Sequence, residues 1–163
     1  MPTVKDMIRN QIKFGDMLIQ GYIGDLSDAD LLLRSVPGAN HIAWQMGHLI
    51  CSSQHILKDL GHESPPLPAG FAEAHAAGNA SCDDPARFAT KDEYLRLHGL
   101  MLVAMNAALD KTPDGALDEP GPEAMREYAP TKAATLMLLG NHPVMHAGQF
   151  VPVRRKLGKP PLF

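Results

Sequence analysis

Two histidines four residues apart, His142 and His146 in LLGNHPVMHAGQF, have the type and spacing in this chain that most directly suggest chemistry. Four residues is about one turn of α-helix, so both imidazoles project from one face at a separation a single divalent ion can bridge. A third histidine, His48 in NHIAWQMGHL, lies far upstream. Supplied by a neighbouring helix, it would complete one face of a metal site and leave the other to water or substrate, as in catalytic rather than structural zinc. With 8 His among 163 residues, chance supplies about 0.4 pairs at any chosen spacing, so the pair draws its weight from the apolar helix around it. An imidazole buried there without a partner is costly.

Neutral imidazole accepts several transition metals; zinc or nickel is the first expectation, and iron is also compatible. With three protein ligands, the open position would lower the pKa of a bound water toward about 7, or ionise a thiol cosubstrate. Gln149 follows His146 by three residues and His142 by seven, so it shares their face and could orient water or substrate, although a surface glutamine is the plainer reading. No other catalytic set stands out, and no catalytic residue is assigned. Ser52 and Ser53 lack a nucleophile-elbow context, no glycine-rich phosphate loop occurs, and the acidic residues are scattered.

The remaining histidines invite comparison. His41, His48, His55 and His62 recur every seven residues, and the first three share a stripe with Gln45. About 10.5 Å of helix per heptad keeps them from sharing one ion. His41 reads as a helix N-terminal residue and His55 as a polar lining or outer-sphere group. A rival site of His48, Cys51 and His55 draws three ligands from consecutive turns of one helix, which converge poorly. His75 and His98 read as surface or packing residues, and Trp44 as core or pocket wall.

Positioning such residues takes helices. Apolar residues at helical spacing predict a first helix from about Thr3 to Tyr22, a short one from Ser27 through Leu33, and a long one over about His41 to Leu60 with Asn40 as its cap. Thr90 and Glu93 predict a capping box for a helix over about Lys91 to Lys111. Thr131 opens the last, reaching about Leu157 before Gly158 and the Pro160-Pro161 stop, with bends expected at Pro143 and Pro152. Two proline-rich connections, 61–89 and 112–130, link these helices, with brief helicity expected over Phe71 to Ala77. Thus an all-α, four-helix bundle with long crossover connections is expected, as a single domain spanning 1–163.

At 163 residues and 17.7 kDa, with 45% hydrophobic residues, the chain has material for one core. A net charge of −3 argues against nucleic acid as partner, and Arg154, Arg155 and Lys156 fall at a helix end, where cations suit the dipole. No apolar run reaches membrane-spanning length, and the N-terminal stretch alternates apolar and charged residues, so a cytoplasmic protein is expected. Cys51 and Cys82 are expected to be free thiols.

NHIAWQMGHL, the long crossover and HPVMHAGQFVPVRRKLGKP together resemble the DinB-like (YfiT-like) superfamily of metal-binding four-helix bundles. The sharpest parts are Gly-His-Leu at 47–49 and His-x3-His-x-Gly-Gln at 142–149, followed by Arg-Arg-x-Leu-Gly. The resemblance implies one metal ligand from the first motif and two from the second, hence His48, His142 and His146. Pro143, between the last two, departs from the commoner pattern. The resemblance also implies frequent dimers and activities that include thiol-dependent transferases or isomerases and proteins assigned as hydrolases. A metal-dependent enzyme acting on a small molecule, with a low-molecular-weight thiol as one candidate partner, is therefore expected. A non-catalytic metal-binding or stress-response bundle is the alternative. A homodimer is expected from the family and from apolar residues outside the main stripes, such as Phe14 and Leu97.

Overall fold

The computed structural model describes residues 1–160 and residue 162. Six α-helices run along the chain: α1 (Val4–Ile23), α2 (Asp28–Leu31), α3 (Ile42–Asp59), α4 (Phe71–Ala74), α5 (Lys91–Lys111) and α6 (Lys132–Lys156). Among the described residues there is no strand, only an isolated bridge between Pro120 and Thr131. The four long helices form a bundle in which α1 and α3 each lie against both α5 and α6. Pro161, half of the expected C-terminal stop, lies outside the described residues.

Short polar side chains start these helices by accepting otherwise unpaired backbone N–H groups. Thr3 and Asp6 form a reciprocal capping box on α1, as do Ser27 and Asp30 on α2. Thr90 caps α5, but the Glu93 carboxylate turns to Arg96 at 2.7 and 2.8 Å instead of closing the expected box. On α3 the cap is His41 rather than Asn40: its Nδ1 accepts from the Trp44 N–H at 3.0 Å. The α6 helix continues unbroken through Pro143 and Pro152.

The tightest contact joins α1 to α6. A Cβ on Gly140 would meet the Gln11 and Ile12 backbone at 2.6–2.7 Å, and one on Gly15 would lie 2.8 Å from the Gly140 carbonyl oxygen. Only glycine lets these backbones approach so closely. Arg154 seals the same seam from the C-terminal end of α6. It is buried, donates to the Tyr22 carbonyl at 2.9 Å, and pairs with Asp25. The basic cluster is therefore partly a buried clamp. Leu97, expected as surplus apolar surface, is buried in the core, whereas Phe14 is exposed.

The crossover 61–89 is built onto α3. Trp44 donates its indole N–H to the Ala76 carbonyl, Gln54 donates to the Pro65 carbonyl, and His41 donates Nε2–H to the Cys82 carbonyl. His75, expected as a surface or packing residue, is buried: its Nδ1–H donates to the Phe71 carbonyl at 2.7 Å, and Nε2 accepts from the Tyr94 hydroxyl at 2.8 Å. Gly47 makes room for it, since a Cβ there would sit 2.0 Å from the imidazole. His98 is likewise buried, with Nε2 3.2 Å from an Asp16 carboxylate oxygen on α1. Cys51 and Cys82 are free.

Candidate metal centre

One residue of α3 and two of α6 meet where these helices face each other. His48, His142 and His146 each offer a ring nitrogen, and the three atoms lie within 4.8 Å of one another. The Nε2 atoms of His142 and His146 are 3.1 Å apart. Two nitrogens on a tetrahedral zinc, each about 2.0–2.1 Å from the ion, stand about 3.3 Å apart, so the α6 pair is already at chelating separation. Pro143 does not disturb this spacing, because a helix-interior proline removes its own N–H and leaves the side-chain register of its neighbours intact.

The tautomer of His146 follows from its partners. Gln45 on α3 donates its amide N–H to the Asn40 carbonyl at 2.7 Å, which turns its oxygen toward His146 Nδ1 at 2.8 Å. A carboxamide oxygen only accepts, so Nδ1 carries the proton and Nε2 presents a lone pair toward His142. His48 is held from behind by Trp44, whose ring stacks on the imidazole with centroids 5.0 Å apart and planes at 8°.

The electrostatics favour the same state. Burial, then repulsion from His48, pushes His142 down to about 4; burial, then His142 and His48, pushes His146 down to about 3. Burial also lowers His48. Three imidazoles kept neutral near pH 7 can act as metal donors rather than as a cationic patch. An all-nitrogen set without carboxylate suits zinc, nickel or iron(II) and is poorly matched to magnesium or calcium. The donor set thus fits a transition metal.

The other marked residues lie elsewhere. Gln149 is exposed, and the glutamine in contact with the cluster is Gln45. His55 is exposed and paired with Asp59 at 3.2 Å. Cys51 lies one turn from His48 outside the three-histidine group, and burial pushes its thiol up to about 11, so it stays protonated. Gln45 was visible on the histidine stripe of the sequence, but its role depends on α6 packing opposite.

Beside the cluster opens a cavity of about 1160 Å³. His142 lines it together with Cys51, Ile56, Ala72, Leu138 and Met145, among others, so α3, α4 and α6 all contribute. The connection 112–130 adds Met125 and Tyr128. The cluster therefore has a buried side, where His146 meets Gln45, and a side next to a space large enough for a small molecule.

No curated protein and no solved structure matches this chain. The sequence profile of the DinB superfamily matches residues 11–150, which takes in α3 and α5 whole, most of α1 and α6, and the three histidines, and the chain belongs to the DinB superfamily.

Proposed function

We propose that this protein is a metal-dependent enzyme acting on a small molecule, by small-thiol-dependent transfer or by hydrolysis, with His48, His142 and His146 as the metal ligands. The observation that carries the reading is the position of the three-histidine group at the wall of the 1160 Å³ cavity, with His142 belonging to both. A site meant only to stabilise the fold closes its coordination with protein ligands, whereas a catalytic one keeps a position for water or substrate.

A divalent ion bound there would polarise a substrate oxygen and lower the pKa of a water or thiol placed beside it. The chain's own residues do the remaining work. Gln45 fixes the His146 ring and its tautomer, so the Nε2 lone pair is formed before any ion arrives. Trp44 holds the His48 ring by stacking, and the crossover anchored through Ala76 holds Trp44. Burial keeps the Cys51 thiol of the metal-free protein protonated, and it serves as part of the cavity wall, with the nucleophile drawn from water or from a cosubstrate. The apolar side chains of the cavity wall would pack against the substrate.

The protein is also proposed to form a homodimer through apolar surface on its helices. Met7, Phe14 and Met17 on α1 and Leu100 and Val103 on α5 are exposed, and such side chains favour a partner surface. Light scattering should give about twice 17.7 kDa; the monomer mass rejects the dimer.

The enzymatic reading is tested by loading the protein with zinc or nickel and screening thiol acceptors, with and without low-molecular-weight thiols, alongside ester and amide substrates. Turnover that disappears in His142→Ala supports it. A tightly held, non-exchanging ion with no turnover in any arm favours a non-catalytic metal-binding bundle.

A further inference from the structure

The cavity wall differs from end to end in a way that specifies a ligand. Its body is mainly apolar, with Ile56, Met125, Leu138 and Met145 as its large apolar side chains. Among the described residues its lining contains no carboxylate. The cationic group is Lys58, which is exposed on the last turn of α3. His55, also in the lining, has a ring nitrogen 3.2 Å from the Asp59 carboxylate, which itself lies outside the lining; Lys58 is therefore the formally charged side chain of the wall itself.

The three histidines and Lys58 lie at opposite ends, with the neutral polar groups of Ser52, Gln54 and Asn141 between them. The pairings of Gln45 with His146 and of His48 with His142 show that α3 and α6 run antiparallel past each other. From the histidines the cavity therefore extends toward the C-terminal end of α3 and the N-terminal half of α6, where Leu138 lies. Lys58 is ten residues beyond His48, about 15 Å of helix rise. An ammonium beside an apolar channel, with no carboxylate in the wall to neutralise it, favours an anion and disfavours a cation.

We propose that the cavity binds an elongated, mainly apolar small molecule with one anionic group, whose anionic end pairs with Lys58 and whose other end lies at the three histidines. The molecule's apolar body supplies the affinity through burial against Ile56, Leu138 and Met145, and the Lys58 contact sets its direction. This proposal rests on the enzymatic reading above for the identity of the inner end, but the cavity and its charge stand apart from the metal.

The test uses 1-decanesulfonate, an anion that is a poor metal ligand, against decan-1-ol, its uncharged counterpart, in titration calorimetry on zinc-loaded and zinc-free protein. The sulfonate should bind with several-fold higher affinity than the alcohol in both forms. Lys58→Glu should weaken the sulfonate by about tenfold while leaving the alcohol unchanged, and Lys58→Arg should restore the preference. Leu138→Trp should weaken both ligands, with a melting curve confirming that the variant is folded. Equal affinities for the two ligands, no effect of Lys58→Glu, or no binding of either would overturn the proposal. Zinc content measured on the same samples separates this outcome from the metal assignment: one equivalent of zinc with no sulfonate preference removes the ligand and leaves the site, and the reverse removes the site alone.

Discussion

The α1–α6 seam and the α3–α6 gap share a helix and treat it in opposite ways. Against α1, glycines bring backbone to backbone, and Arg154 clamps the end of the contact. Against α3, the same helix presents imidazoles instead of small residues, and the helices hold a histidine cluster and a cavity between them. The difference teaches where the two duties of the fold reside. Close packing on one side of α6 fixes its position, so the other side can carry buried polar groups without collapsing on them.

The comparison breaks first at the seam. Gly140→Ala puts a Cβ within 2.6–2.7 Å of Gln11 and Ile12 backbone atoms, and overpacking of this kind costs about 1–3 kcal/mol. That exceeds the gain of up to about 1 kcal/mol in helix propensity from removing a glycine. The melting temperature should fall by several degrees, at about 2–4 °C per kcal/mol for a chain of this size. Gly99→Ala, where nothing lies within 4 Å of the added Cβ, should hold or raise it. Equal effects of the two substitutions would dissolve the distinction between the seam and an ordinary helix surface.

On the other side, the effect should appear in the site rather than in the fold. Gln45→Leu removes the acceptor that fixes His146, and losses of such supporting hydrogen bonds weaken metal binding by about 10–100-fold. Zinc competition against a chromophoric chelator reads this directly. An unchanged affinity would mean that the His146 tautomer is set in some other way. Thermal stability of the metal-free protein should change less than with Gly140→Ala.

Acid should act through the same histidines, with an effect that grows as the pH falls. An unfolded histidine takes up a proton near its ordinary value of 6.5, whereas the folded chain refuses one until about 4 at His142 and about 3 at His146. Across that interval the unfolded state binds more protons, so stability is full above about pH 6.5 and falls as the pH drops toward 4. In metal-free protein, His142→Ala should flatten this decline in melting temperature; the same slope in both proteins would contradict the burial-driven shift.

How much of this could be read from the sequence follows from what each feature depends on. Helix starts depend on local chemistry, and Thr3, Ser27, Thr90 and Thr131 all cap where their side chains suggested. The pairing of His142 with His146 is a one-turn relation and was legible from spacing alone. The meeting of His48 with that pair needed the family motif, because nothing in the residues near position 48 specifies what faces it. Gln45 stood on the right stripe but had no partner until α6 was placed opposite. The reverse held for Gln149, which shares a helical face with His142 and His146 on paper yet is exposed. For His75 the residues left surface and packing open, and the structure selects packing: its burial depends on Tyr94 on α5 and on the space left by Gly47 on α3, contacts that no local pattern encodes. The seam glycines were likewise invisible, since a glycine within a helix announces only a cost until a second backbone is found against it.

The central claim is that one divalent ion is held jointly by α3 and α6. It is tested most directly by metal content per chain, measured by elemental analysis after loading and desalting, for the wild type, His48→Ala, His142→Ala, His146→Ala and His55→Ala, with circular dichroism on each. The account predicts one equivalent in the wild type and in His55→Ala, and well below one in the other three at unchanged helical content. Full metal retention in both His142→Ala and His146→Ala, or equal losses from His48→Ala and His55→Ala, would contradict it.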